Sequence, residues 1–192
     1  MTESPRRSAV IRRVHLPDSQ AMHDFVLRLS SASRRSRFHG AVNDISPSLL
    51  RRLVSADGKR NAAWVACVWG EHGEEIVGEA VWYVAGADHN EAEFAISVRD
   101  DWQGRGIADE LMHMLVTAAR ESGLRQLYGD VLQSNARMLA FMRRHGMEPV
   151  YCEPEPEPGV TRLGRMFDAP AANNSREGTR RSWLKRVKSL WT

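Results

Sequence analysis

Residues 92–98, AEFAISV, read as a strand, and Leu111, Met114, Leu115 and Ala118 recur at helical spacing soon after it. Between them lies RDDWQGRGIADE, which puts Gly104 and Gly106 where the helix must start. Glycine there costs conformational entropy, so the chain must gain something from having no side chain at those positions. A strand that passes through a glycine-rich turn into a helix points unpaired backbone N–H groups, and the positive end of the helix dipole, at one spot. Such a spot suits phosphate, and bare glycines let an anion approach the main chain closely. Two common phosphate patterns do not apply. GxxxxGK[ST] does not occur, and GxGxxG fails at its third glycine, where Asp109 stands after a run of strands rather than within a βαβ unit.

The rest of the chain places this turn. Val10 to Leu16 reads as a first strand, followed by a turn at Pro17-Asp18-Ser19 and the periodic apolar set Met22, Phe25, Val26 and Leu29 of a first helix. A second helix is expected where Ser46 and Pro47, N-cap and first turn, precede Leu49, Leu50 and Leu53. Residues 62–69, 76–84 and 92–98 are short runs rich in β-branched and aromatic residues, which is the pattern of an antiparallel meander. Gly123 stops the helix after the glycine turn, residues 124–132 form a further strand, and Asn135 to His145 a further helix closed by Gly146. Val150 to Cys152 is expected to begin a strand, EPEPEPG to loop out, and Val160 to Phe167 to return as the last strand.

A chain of 192 residues with 42% hydrophobic and 27% charged residues suits one soluble domain. No run approaches the length of a membrane span, and MTESPRRSAV has no apolar export region, so the cytoplasm is the expected location. Cys67 and Cys152 lie in apolar runs without CxxC spacing and are expected to be reduced and buried. The histidines are scattered singly, so no metal is expected. The net charge of +3 is uneven: residues 172–192 hold six Lys/Arg against Glu177, leaving −2 for the rest. The basic character is thus no sign of a nucleic-acid-binding domain.

Gln103, Gly106 and Ala108 satisfy the pattern Q/R-x-x-G-x-G/A, which resembles the coenzyme A pyrophosphate loop of the GNAT acetyltransferases. The element order from about residue 9 to 168 is similar to that family's. NARMLAFMRRHGM, with Asn135 eleven residues before Gly146, is similar to its N-x-x-A-x-x-L-Y-x-x-x-G-F pattern. The resemblance implies an α/β GNAT fold over residues 1–170. Its central sheet is mixed but mostly antiparallel, of six to seven strands, flanked by about four helices, and a basic amphipathic tail follows over 171–192. It implies acetyl-CoA as co-substrate, with Gln103, Gly104, Arg105, Gly106, Ile107 and Ala108 around the diphosphate and Asn135 beside the pantetheine arm. Asparagine is also a good helix N-cap, and both roles are compatible.

Acetyl transfer needs a neutral amine, and a lysine of pKa near 10.4 is neutral in only about one part in a thousand at pH 7. Glu93, within an apolar run, is the carboxylate best placed to lose water and act as general base. The resemblance also implies a glutamate base on this strand; Glu91 and Glu79 are the alternatives, and a Glu93 that simply faces solvent is the plain one. By resemblance, a main-chain N–H near Ser97 and Val98 receives the developing oxyanion. The family's usual tyrosine acid falls at Met142, which cannot donate a proton. Tyr128 and His145 are weak substitutes, and solvent can protonate a thiolate of pKa near 8.5.

FVLRLSSASRRSRFHG, AEFAISVRDDWQGRGI and LYGDVLQSNARM are similar to bacterial Pat-type protein lysine acetyltransferases, whose substrates include acyl-CoA synthetases. That implies a protein lysine as acceptor. A small-molecule amine, or non-catalytic binding of acyl-CoA as a regulator, are the alternatives. The basic run Arg34, Arg35 and Arg37 either guides an acidic acceptor surface or is a solvated helix end. In RRSWLKRVKSLW, Trp183, Leu184, Val187, Leu190 and Trp191 gather on one helical arc opposite Arg181, Lys185 and Lys188. Such a tail suits a membrane surface, an acidic partner, docking on its own domain, or disorder.

Overall fold

The computed structural model describes residues 8–40, 44–71, 73–85, 90–152 and 154–167. The amphipathic reading of the tail lies outside these residues. In chain order the elements are β1 (Val10–Arg13), α1 (Ser19–Arg28), α2 (Ser31–Phe38), α3 (Pro47–Val54), β2 (Asn61–Gly70), β3 (Gly73–Ala85) and β4 (Glu91–Val98). Then follow α4 (Ile107–Glu121), β5 (Gln126–Leu132), α5 (Ala136–Arg144), β6 (Glu148–Pro149) and β7 (Val160–Met166). Short 3-10 turns at Leu16–Asp18 and Asp100–Trp102 lead into α1 and out of β4.

The seven strands form one sheet in the order β1-β2-β3-β4-β5-β7-β6. Every neighbouring pair is antiparallel except β4 and β5, which run parallel. Side chains alternate across the sheet, and each face buries its own core. One face packs Trp64, Trp82, Phe94 and Leu127 with Leu111 and Leu115 of α4 and Phe141 of α5. The other packs Val65 and Val81 with Phe25 of α1, Phe38 of α2 and Leu53 of α3. Both cysteines are free and buried; burial pushes the Cys67 thiol up to about 12 and raises that of Cys152 as well. No helix among the described residues is long and apolar enough to cross a membrane.

The architecture agrees with the α/β sheet expected from the sequence, and three details correct it. Three α-helices, not two, precede the meander, giving five among the described residues. The extra one, α2, has a helix cap but almost no apolar stripe: Ser30 accepts from Ser33 N at 3.1 Å, while only Arg37 and Phe38 are buried. The basic run it carries is not a uniformly solvated helix end. Arg35 is exposed, Arg34 folds back to the carbonyls of Leu27 and Leu29, and Arg37 is buried. Finally, the strand expected at Val150–Cys152 lies at Glu148–Pro149, because the carbonyls of Cys152 and Pro154 accept from Arg162 Nη1 instead of joining a ladder.

Candidate active site

The parallel pairing of β4 with β5 is short. It joins Glu91, Ala92 and Glu93 to Gln126, Leu127 and Tyr128, and beyond it the strands part. The ring of Phe94 lies against Gly129, the first residue past the split, where a Cβ would stand only 3.0 Å from it. A cleft of about 540 Å³ opens from this point. It is bounded by α2, the second half of β4, residues 102–109, residues 129–131 and α5.

The register of β4 decides which groups face the cleft. Arg99 N donates to Val77 O, and the unbroken antiparallel register with β3 carries that pattern back along the strand. Ser97, Ala95 and Glu93 therefore turn their main-chain groups to β3, while Val98, Ile96 and Phe94 turn theirs toward the split. Gln103 Nε2 donates to Val98 O at 3.0 Å, as this alternation requires. The main-chain donors that face the opening are thus those of Ile96 and Val98, not that of Ser97. Ser97 presents its side chain to the opposite face, where its hydroxyl donates to Glu79.

At the mouth of the cleft Gly104 and Gly106 adopt φ of 75° and 84°, left-handed values that strain any side-chain-bearing residue. Gly106 is the N-cap of α4 and its carbonyl accepts from Asp109 and Glu110. The N–H groups of residues 104 to 108 find no acceptor among the described residues, so five donors are left at the positive end of a fifteen-residue helix. Asp109 in the first turn is met by His145 Nε2 at 2.8 Å and by Arg144 at 3.5 Å, and the Arg144 guanidinium offsets its charge. Arg105 folds over Trp102, 4.4 Å from the ring centroid, and donates to Asp101 O, which braces the turn. These donors fit a diphosphate, and no metal is needed to hold one there.

The three candidate carboxylates occupy different surroundings. Glu93 is 1% exposed, lines the cleft, and stands at the last paired position of β4. Glu91 is partly exposed at the start of the strand, away from the cleft lining. Glu79 is buried, but its Oε1 already accepts from Arg37 Nε at 2.5 Å and from Ser97 Oγ at 3.2 Å. Of the three, Glu93 joins burial to access.

Asn135 lines the cleft and caps α5, accepting from Met138 N at 3.1 Å, so the capping role is realised. Met142 lines the same cavity, 1% exposed, with no proton to give. Tyr128 is no substitute. Burial and the nearby Glu93 carboxylate hold its phenol well above the ordinary value, Arg162 stacks on its ring at 4.7 Å, and it does not line the cleft. His145 is bound to Asp109 and also lies off the lining.

Three features were not foreseen from sequence. Arg137 donates to Gln103 Oε1 at 2.5 Å and so orders the side chain that holds β4. Asp100 accepts from Ser30 N and from the hydroxyls of Ser30 and Ser33, which ties α2 to the segment ahead of the glycines. Arg37, marked in the sequence only as one of a basic run, is buried on α2 and forms part of the cleft lining. Only Arg137, two residues after Asn135, lies near a recognisable motif; the other two depend on contacts across some seventy and forty residues.

Comparison with known proteins agrees with this fold. The model of the acetyltransferase (GNAT) family matches residues 32–147. Acetyltransferase PA5475 of Pseudomonas aeruginosa is 35% identical over 132 residues, covering 69% of this chain and 70% of that protein. Acetyltransferase Pat of Mycolicibacterium smegmatis is 32% identical over 120 residues, 62% of this chain but 35% of that longer protein. The crystal structure of the GNAT domain of S. lividans PAT superposes with a TM-score of 0.73 at 24% identity, covering 86% of this chain and all of that one.

Proposed function

The chain belongs to the GNAT acetyltransferase family, and on that premise we propose that it acetylates lysine side chains of proteins, with Glu93 as the general base. Acetyl-CoA is the acetyl donor of this family. The observation that carries the assignment is the meeting, in one cleft, of a run of unpaired N–H groups at residues 104–108 with a buried carboxylate at Glu93. The main chain of Gly104, Arg105, Gly106, Ile107 and Ala108 takes the diphosphate, Gln103 fixes the end of β4, and Asn135 stands beside the thioester arm. The acceptor enters from the α2 side. Its similarity to Pat supports a protein lysine over other primary amines.

In this mechanism Glu93 takes a proton from the acceptor ammonium, directly or through one water, so that the amine nitrogen can attack the thioester carbonyl. The new C–N bond pushes charge onto the carbonyl oxygen, which the main-chain N–H of Val98 or Ile96 receives. Collapse breaks the C–S bond as the nitrogen gives its surplus proton to water, and the thiolate takes a proton from water, since Met142 cannot supply one.

The test is to incubate the protein with labelled acetyl-CoA and, separately, polyamines, aminoglycosides and acyl-CoA synthetases. Label on a lysine of a protein acceptor is the expected result. Label found solely on a small amine rejects the protein acceptor, and folded protein that shows no heat of binding for acetyl-CoA rejects the cradle itself.

A further inference from the structure

The transfer chemistry leaves Arg37 unused. Its side chain, 1% exposed, stands on the last turn of α2 and its residue lines the cleft. Nε donates to Glu79 Oε1, and the guanidinium lies 4.8 Å from the ring centroid of Phe38. Nη1 and Nη2, the two terminal nitrogens, are buried and meet no hydrogen-bond acceptor among the described residues. A guanidinium cannot shed its charge, and unpaired charged donors are costly in a low-dielectric wall.

Arg162, the other buried arginine among the described residues, shows how this chain treats a guanidinium that only holds structure. Its Nε and Nη2 grip both oxygens of Asp130 at 2.7 Å, and Nη1 donates to the carbonyls of Cys152 and Pro154 at 2.8 Å. Glu79 instead takes Arg37 by its Nε edge and leaves the terminal fork open. The fork has almost no accessible surface and Arg37 is part of the cleft lining, so an acceptor oxygen meets it only where that wall of the cleft gives way. Two parallel N–H donors on a planar cation match a carboxylate best.

We propose that the terminal nitrogens of Arg37 hold a carboxylate of the acceptor, so that the amine taken by this cleft is one that also carries a carboxylate. The inference rests on the reading of the cleft as an acetyl-transfer site. Glu79 faces Ser97 in the sheet register, and Glu93 lies four residues back on the same face of β4. That is about 13 Å at about 3.3 Å per residue. The acceptor is thus oriented by opposite charges at its two ends, its carboxylate toward Arg37 and its amine toward Glu93. The carboxylate can belong to a free amino acid whose reacting amine ends a long side chain, as in lysine, or to an acidic side chain beside a protein lysine.

Matched acceptors test this: Nα-acetyl-lysine against its carboxamide, and a Lys-Asp peptide against Lys-Asn. Each is assayed for thiol release and also titrated into protein saturated with CoA, so that binding is read even where turnover is absent. The wild type should favour the acid of at least one pair by roughly 10- to 100-fold, chiefly in KM or Kd. Preference in the first pair identifies a free amino acid, and preference in the peptide pair an acidic protein site. In the double variant Arg37→Met/Glu79→Gln, which leaves no buried charge unpaired, the preference should fall below about threefold while acetyl-CoA affinity stays unchanged. Arg37→Lys, which keeps the charge without the fork, serves if the double variant does not fold, and should lose most of the preference. Equal handling of acid and amide by the wild type in both readouts, or a preference that survives these variants, overturns the proposal. A Glu93→Gln protein that transfers acetyl as fast as wild type while keeping the acid preference would refute the base and leave Arg37 standing.

Discussion

The wall of the cleft assigned to acetyl-CoA and the wall assigned to the acceptor are made of different material. On the first, the useful groups are main-chain N–H donors at residues 104–108, held open by two left-handed glycines at the start of α4. On the second they are side chains: Glu93 from β4 and Arg37 from α2, with Glu79 of β3 behind Arg37. Main-chain donors do not change when side chains do, so the first wall suits a constant ligand. The second can be altered one residue at a time, which suits the ligand that varies between related enzymes.

If that division is sound, substitutions should separate along it. The largest effect belongs to Glu93→Gln, which should slow transfer by roughly 100- to 1000-fold at neutral pH, as loss of a general base does, while acetyl-CoA binds as before in a calorimetric titration. A rate within threefold of wild type would move the base elsewhere. Next, Gly106→Val forces a β-branched residue to a φ of 84°. A cost of about 1–2 kcal/mol is expected there, read as roughly tenfold weaker acetyl-CoA binding with acceptor KM little changed at saturating donor. Acceptor KM rising as much as donor Kd would mean that the two walls are not separable at this point.

The smallest effect tests the place where the walls are joined. Asp100 fastens the N-terminus of α2 to the turn before the glycines. Burial raises its carboxyl, but the main-chain bond from Ser30 and the hydroxyls of Ser33 and Ser30 outweigh that and hold it below the usual range. A carboxylate lowered in this way contributes stability above its unfolded value, near pH 3.9, and loses it as the pH falls through the folded value. The tie should therefore be intact through neutral pH and release only in acid. Asp100→Ala should cost about 1 kcal/mol, a fall of about 2–4 °C in Tm, and should raise both donor and acceptor KM by about two- to threefold. An effect on one substrate alone would show that Asp100 belongs to one wall.

The same division explains what could be read from the sequence. Gly104, Gly106 and Asn135 stand at fixed intervals within single turns, because a helix N-terminus and a cap are local structures whose requirements fall on neighbouring residues. The meander was legible for a similar reason: β-branched and aromatic runs report a strand wherever it finally lies. Glu93 could be nominated from its apolar surroundings, but its neighbour Ser97 shows the limit of that approach. Which of two adjacent residues turns its N–H to the opening depends on the pairing with β3, and nothing local to residues 97 and 98 records it. Arg37 was harder still. In SASRRSRF one arginine among several is buried, and its distinction comes wholly from Glu79, forty-two residues away. The helix that carries it is fixed by a serine cap and by contacts made on folding, with few of the periodic apolar residues that would have marked it.

The alternation along β4 has a further consequence. Odd-numbered positions from Glu93 to Ser97 look toward α2, and even-numbered ones look toward α4 and α5, so a single inserted or deleted residue between 93 and 98 would exchange the two sets at once. Point changes at 95 or 97, by contrast, reshape only the room in which the incoming amine sits. Diversification of substrate range along this strand is therefore open to replacement and closed to changes in length, and a library built for new acceptors should vary the odd positions and leave the spacing alone.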